Sequence, residues 1–489
     1  MNPSEPASLG RPAGNTAPPR RRTSALEKVV VVHFGGLFVF TSWAFGGQVP
    51  WARQVIAGWG GIGVVLFLVA CQACRQPADR RFHPAVRWLW PLLVYDLVVG
   101  LSGLNPSFAE TTGAGEPSLI MAHPLAWLPS SARPLLSWAG LWQFNVIVLT
   151  CFNLMLVSRS RRLLRGVWLM IGFNAVVLAV FGTFQKLAGA SGLWFGLVPS
   201  PNPKFFSTFV YHNHWGAFSL LNAAVCLGLL YHFIRRGGQR DLWHSPVPLG
   251  ALAILLLVAT IPLSGSRSCS VLMAALVGGA VVHLLTRLIR HRRERGKSVA
   301  APVTGILCAT LLAVGAIAWL GHDVIAQRAQ LTAEQLGSIA REDTLNSRLT
   351  LYRDTWRMAA EKPWFGWGLE SYAHVFRIFN TQRATELWVW IPYYAEAHND
   401  WLQSLAEVGF VGTGLRALLV LLPLLGVRWS RVASGLPRYL LAGCGLVLLY
   451  AWVEFPFASP AVMIAFWSCL YTACRYAALE DVEKIPRTG

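Results

Sequence analysis

Long apolar runs constrain this chain more than any other feature. Stretches such as Gly250 to Leu263 and Gly305 to Leu320 hold almost nothing polar. A helix of about 20 mostly apolar residues crosses roughly 30 Å of hydrocarbon. Candidate spans lie near 29–47, 54–72, 87–104, 138–157, 166–187, 214–234, 247–264, 269–287, 300–320, 406–427, 439–456 and 460–475. Lipid satisfies no backbone N–H or C=O, so each such run must be helical. Charge agrees: only 13% of residues are charged, against about 25% in soluble domains. The expected fold class is all-α, a polytopic helical membrane bundle of about 12 spans with a large, partly helical loop on one side.

The net charge of +19 would suit nucleic acid, but its placement argues otherwise. The basic residues sit in short segments between apolar runs, as the positive-inside rule describes, and no nucleic-acid-binding pattern accompanies them. With the N-terminus in the cytoplasm, the inner segments hold Arg20 to Arg22, Arg75, Arg80, Arg81, Arg159 to Arg165, Arg235, Arg236, Arg240, Arg290 to Lys297, Arg428, Arg431, Arg475 and Lys484. The short outer segments hold only Arg53, Arg133, Lys186, Lys204 and Arg267. This asymmetry predicts a multi-pass membrane protein with both ends inside.

Residues 1–28 are rich in Pro, Gly, Ser and Arg and are expected to be a disordered cytoplasmic segment. They lack the short apolar core and small-residue cleavage site of a signal peptide. The expected organisation continues with nine spans over 29–320, an outer loop over 321–405, three spans over 406–475 and an inner tail over 476–489. Most of the nine cysteines lie inside apolar runs and read as small core residues. Cys71 and Cys74 form a C-x-x-C with no βαβ pattern around it, so it reads as neither redox nor zinc site.

The outer loop is the unusual element. Loops this long are usually functional or disordered. Helical patterns over Ala326–Ala340 and Ser347–Glu361, and the aromatics Trp356, Trp364, Trp367, Trp388, Trp390, Tyr393 and Tyr394, favour a folded loop against the membrane interface. A second outer segment, 105–137, is Pro- and Ser-rich and is expected to cover it.

Three outward places carry polar residues that a span does not need. The first is Phe205 to His214, at the entry to the sixth span; the second is Ser264-Gly265-Ser266-Arg267-Ser268, a tight turn; the third is the large loop. Arg267 reads either as an interface anchor or as a ligand for an anionic head group. Arginine bonds phosphate bidentately, and the helix starting behind it adds a favourable dipole. Arg348 and Tyr352 share one helix face, while Arg353 and Arg357 share another; a solvated face is the plain alternative. His398 is the acid–base candidate, since imidazole exchanges protons near neutrality. It stands in His-Asn-Asp, where the loop returns to the membrane. His212, His214 and His398 show no familiar metal-ligand spacing, so no metal is assigned. Asp96, Glu454 and Arg416 read as ionisable residues within spans, hence as functional candidates or mutual partners.

Together these pieces resemble the O-antigen ligase and O-antigen polymerase superfamily. The carriers are the entry Ser207-Thr208-Phe209-Val210-Tyr211-His212-Asn213-His214 and the turn Ser266-Arg267. They continue with Arg348, Trp356, Pro363, Gly366 and Gly368, and end with His398, Asn399, Leu402, Glu407 and Gly409. The entry departs from the family form at Tyr211 and His212 and lacks a glycine before Phe209. The resemblance implies a glycosyltransferase-C-like membrane fold that moves glycan from an undecaprenyl-pyrophosphate carrier to an acceptor hydroxyl, on lipid A core or a growing polysaccharide chain, without metal or other cofactor. It implies that Arg267 and Arg348 grip the pyrophosphate and that His398 positions or deprotonates the acceptor. Tyr211, His212, Asn213, His214, Arg353 and Asn399 would then bind substrate. The alternative is a transporter of lipid-linked sugar or a small anion, which convergence of Asp96, Glu454 and Arg416 at mid-membrane would favour.

Overall fold

The computed structural model describes residues 23–74, 83–113, 116–236, 244–320, 343–381, 393–427, 429–433 and 435–479. Fifteen α-helices occur among them. The bundle begins with α1 (Ala25–Trp43), α2 (Pro50–Ala73), α3 (Trp90–Leu104), α4 (Pro134–Val157) and α5 (Arg161–Leu187). It continues with α6 (His212–Arg236), α7 (Val247–Ser264), α8 (Arg267–Glu294) and α9 (Ala300–Leu320). The outer loop supplies α10 (Asp343–Glu361) and α11 (Tyr372–Phe379). The chain closes with α12 (Asp400–Leu425), α13 (Trp429–Ala433), α14 (Pro437–Tyr450) and α15 (Pro460–Ala478).

Ten helices among the described residues are long and apolar enough to cross a membrane; the expected ninth span falls on α9, a helix of 21 residues, and the eleventh on α14, a shorter helix of 14. The protein is a polytopic helical membrane protein. Burial separates a centre from a rim: 78% of the apolar window of α6 and 83% of that of α15 is buried, against 22% for α8. The rim helices therefore offer their apolar side chains to lipid.

Local chemistry fixes the ends. Ser24 caps α1, with Glu27 N donating to Ser24 Oγ at 3.2 Å and Ser24 N to Glu27 Oε2 at 2.8 Å, a reciprocal box that satisfies two otherwise orphaned donors. The other oxygen of Glu27 accepts from Arg159 N at 3.0 Å and ties α1 to the α4–α5 turn.

Four expectations are corrected. Helix begins at Ala25, inside the segment expected to be disordered to residue 28; residues 1–22 lie outside the described residues. The tenth span starts at Asp400 rather than 406, because Asn399 caps it there. The eleventh stops at Tyr450 rather than 456, ahead of the Pro456 and Pro460 that interrupt the path to α15. The 105–137 segment contains a two-stranded antiparallel hairpin, β1 (Phe108–Gly113) with β2 (Glu116–Met121), that its composition did not suggest. The expected helix over Ala326–Ala340 lies outside the described residues.

The outer loop folds on a core of its own. Phe108, Ala132, Leu351, Met358, Trp367, Tyr372, Phe376 and Ala397 pack together, so the 105–133 segment and the large loop form one body. Lys362 Nζ donates to Ser107 Oγ and Ser130 Oγ at 2.9 Å and lies 4.1 Å from the Trp367 ring centroid. Burial pulls this lysine down to about 8.

A backbone clasp locks that body onto α12. Trp367 N donates to Ala406 O and Gly368 N to Glu407 O, at 3.0 and 2.8 Å. In return Phe410 N donates to Pro363 O and Val411 N to Trp364 O, at 2.8 and 3.1 Å. Gly366 (φ +67°) and Gly409 (φ +64°) make it possible. A Cβ on Gly366 would lie 2.4 Å from the Glu407 carbonyl carbon, and one on Gly409 2.3 Å from that of Trp364. Only glycine accepts both the left-handed backbone and the contact.

Candidate functional site

Three separate pieces of chain meet at Glu454. This residue follows α14 in the connector to α15, and it is 4% exposed. Its Oε1 lies 3.3 Å from Arg348 Nη2, and its Oε2 lies 3.3 Å from His398 Nδ1. Tyr211 OH donates to Oε2 at 3.4 Å. A buried carboxylate is costly unless it is paired and hydrogen-bonded, and here α10, the return loop and the α6 entry all supply partners. Burial pushes the Glu454 carboxyl up, but the His398 hydrogen bond and charge, with Arg348, outweigh it and hold it below the ordinary carboxylate value. Burial first, then the Glu454 charge, raises the Tyr211 phenol, so it remains a donor.

His398 is held in an unusual backbone conformation. Its φ is 52°, in the left-handed region that a non-glycine residue seldom occupies, and such strain persists only where surroundings over-determine it. Tyr352 OH, on the same face of α10 as Arg348, donates to His398 O at 2.9 Å. Immediately after it, Asn399 Oδ1 accepts from Leu402 N at 3.0 Å and starts α12. Asp400 then binds the connector: its N donates to Ala451 O at 2.9 Å, and its Oδ2 accepts from Phe457 N at 3.0 Å. The imidazole stands edge-on to Phe455, with ring centroids 4.8 Å apart. Its side chain is 30% exposed, and Nε2 makes no hydrogen bond to the described residues. Nδ1 is the ring nitrogen that faces Glu454.

A second layer runs inward from Tyr211. Asn213 Nδ2 donates to Tyr211 OH at 2.8 Å, and Ser266 Oγ donates to Asn213 Oδ1 at 2.6 Å. Arg267 is the next residue, exposed at the first turn of α8. The polar chain thus links the α7–α8 turn to Glu454. His214 has its ring nitrogens on Gln48 Oε1 and Phe455 O, both at 3.1 Å, and so positions the connector.

The expected site residues fall into two groups. His398, Arg348 and Tyr211 touch Glu454 directly, while Asn213 stands one bond away. The others have structural partners: His212 Nδ1 is 3.1 Å from Lys204 O, and Asn399 is a helix cap. Arg353 lies 3.3 Å from Thr381 Oγ1 and 3.7 Å from Asp354 Oδ1, both away from the Glu454 contacts. Glu454 itself was read as a residue within a span; it stands in the connector between α14 and α15, and its side-chain partners are Arg348, His398 and Tyr211, not Asp96 or Arg416. Asp96 accepts from Asn145 at 2.8 Å, and Arg416 stands over the Tyr95 and Phe144 rings. Glu454 could have been found from its Glu-Phe-Pro setting between two spans at the side assigned to the outside.

Among the described residues, no three His, Cys, Asp or Glu converge as metal ligands would. A cavity of about 520 Å³ is lined among others by Glu370, Glu396, Asp400, Trp401, Glu407 and Arg416. Its lining includes Asp400 but not His398, Arg348 or Glu454. The Glu454 contacts are therefore not part of this cavity's wall.

The family described as O-antigen ligase matches residues 252–417. That stretch runs from α7 to α12 and includes Arg267, Arg348 and His398; Tyr211, Asn213 and Glu454 lie outside it. No curated protein matches the chain. The match supports membership in the O-antigen ligase and polymerase superfamily and, with the helical membrane fold, a glycan transferase of that type.

Proposed function

We propose that this chain transfers glycan from an undecaprenyl-pyrophosphate donor to an acceptor hydroxyl at the extracytoplasmic face of the inner membrane. The observation that carries the reading is His398 backed by Glu454, with Arg348 on the other carboxylate oxygen. Nε2 of His398 takes the acceptor proton as the hydroxyl oxygen attacks the anomeric carbon. The bond from that carbon to the pyrophosphate oxygen breaks, and both bonding electrons leave with the pyrophosphate. Glu454 holds the imidazole in one orientation and stabilises the imidazolium that forms, the role a carboxylate plays behind a catalytic histidine. Arg348 and Arg267 meet the growing negative charge of the leaving group. The carrier's own bond supplies the driving force, and the sequence contains no phosphate-binding nucleotide loop.

Topology supports the outward direction of the site. Glu454, His398, Arg348 and Arg267 all lie on segments that the distribution of basic residues assigns to the outside. Convergence of Asp96, Glu454 and Arg416 would have favoured the transporter reading; Glu454 pairs with Arg348 and His398 instead.

The test uses purified protein in nanodiscs with an undecaprenyl-pyrophosphate glycan and separate acceptors: lipid A core, a second lipid-linked glycan, and a hydroxyl-bearing peptide. Release of undecaprenyl pyrophosphate together with a glycosylated acceptor is expected, lost in His398→Ala, Arg348→Ala and Arg267→Ala with insertion intact. The acceptor that works distinguishes ligase, polymerase and protein transferase. No product with any acceptor, with carrier crossing between leaflets in proteoliposomes, would replace the transferase with a transporter.

A further inference from the structure

At the far end of the bundle, three arginines from three helices gather on one tyrosine. The guanidinium carbons of Arg235 on α6, Arg287 on α8 and Arg438 on α14 lie 5.8, 5.8 and 5.7 Å from the Tyr231 ring centroid. Arg287 donates to Tyr231 OH. Arg438 Nε donates to Gly435 O at 3.3 Å, and its Nη1 donates to His283 Nε2 at 2.6 Å. His283 Nδ1 in turn lies 2.7 Å from Tyr439 OH. An imidazole nitrogen that accepts from arginine cannot carry a proton, so His283 is neutral here. The hydrogen bonds of Arg287 and Arg438 among the described residues therefore go to uncharged groups.

The approach of Arg287 and Arg438 to one ring is unfavourable by itself. Like charges repel more strongly where lipid and protein screen them poorly, and one aromatic ring offsets only part of that repulsion. An anion with several oxygens resolves it, and a guanidinium fork fits phosphate bidentately. The positive end of α14, which begins at Pro437, faces the same region. Tyr231 and Tyr439 are buried, Arg438 is half-buried, and Arg235 and Arg287 are exposed, so the place is open.

Position selects the kind of phosphate. Tyr231 lies about five turns along α6 from His212, some 25–30 Å at 1.5 Å per residue. The cluster therefore borders the opposite membrane face from His398. Beside it α8 presents apolar side chains outward, with Val282 60% exposed one residue before His283. A head group at the arginines would leave its acyl chains along that face. Basic pockets between helices at the inner face recognise anionic head groups in this way. We propose that Arg287 and Arg438, with Arg235 at the rim, bind the phosphate of an anionic phospholipid in the leaflet opposite the transfer site.

The full chain, purified in a neutral detergent, is offered cardiolipin, phosphatidylglycerol, phosphatidylcholine or inorganic phosphate at equal phosphate concentration. Retained lipid is read by native mass spectrometry and the thermal midpoint by tryptophan fluorescence. The wild type is expected to retain the anionic lipids over phosphatidylcholine by about tenfold or more, a difference of roughly 1.4 kcal/mol, and to be stabilised by them. The double variant Arg287→Gln/Arg438→Gln is expected to lose that preference. No preference in the wild type, or the same preference in the double variant, overturns the proposal. Equal stabilisation by inorganic phosphate overturns the lipid assignment in favour of a free-anion site. If the double variant does not fold, Arg287→Gln alone, at an exposed position, must weaken the preference; an unchanged preference overturns the proposal. Glycan transfer is not the readout, so this outcome and that of the transferase reading are independent.

Discussion

Glu454 Oε2 lies 3.3 Å from His398 Nδ1, although α12, α13 and α14 separate the two residues along the chain. The pairing joins the outer loop to the connector between the last two membrane helices. It holds the His398 imidazole in one orientation by its Nδ1 edge.

Glu454→Gln is expected to lower the transfer rate by about 10²–10⁴-fold, the range for losing an oriented acid–base pair. The same variant tests linkage. Glu454 has its folded value depressed below the ordinary 4.5, so its contribution to stability is present above that value and fades as pH falls through the folded value. The difference in thermal midpoint between wild type and Glu454→Gln should therefore shrink as pH falls below about 4.5.

Asn399→Ala should act on stability, not on recognition. The side chain caps α12 through Leu402 N, and loss of such a cap costs about 1 kcal/mol. A lower thermal midpoint with transfer per folded molecule within about twofold is the expected result; a large rise in donor KM at unchanged midpoint would instead return Asn399 to the substrate-binding set.

Two glycines on adjacent segments should behave oppositely. Gly366→Ala meets Glu407 backbone at 2.4 Å with φ at +67° and should destabilise by roughly 2–4 kcal/mol. A methyl group added at Gly414 in α12 would meet no atom within 4 Å, so Gly414→Ala should be neutral or stabilising by about 0.5–1 kcal/mol. Yield of monodisperse protein and thermal midpoint report both.

Lys362 offers a second pH test. Its folded value is about 8 against an ordinary 10.5, so between these values the unfolded chain binds more protons. Stability from this group therefore rises as pH increases from 8 to 10.5. The midpoint of the wild type should climb over that window relative to Lys362→Met, and parallel curves would contradict the assignment.

The spans were legible because hydrocarbon demands long apolar helices. Arg348 and His398 were legible because polar chemistry at the end of such helices has few structural uses. Glu454 was not, since an apolar run ending in Tyr-Ala-Trp-Val-Glu-Phe-Pro does not reveal that helix stops at Tyr450. Asn399 carried the signature of an N-cap, but its neighbour His398 drew it into the substrate set. The glycines at 366, 368 and 409 read as motif residues; the reason for 366 and 409 emerges only when both segments meet in the clasp, and that for 368 only where its backbone passes Ser131.

The most direct test is a double-mutant cycle on single-turnover glycan transfer from the lipid-linked donor, with His398→Ala, Glu454→Gln and both together. If Glu454 acts through His398, the double variant is no slower than His398→Ala alone, because residues working as a unit are strongly non-additive. Losses that multiply, or wild-type protein that yields no glycosylated product, would contradict the account.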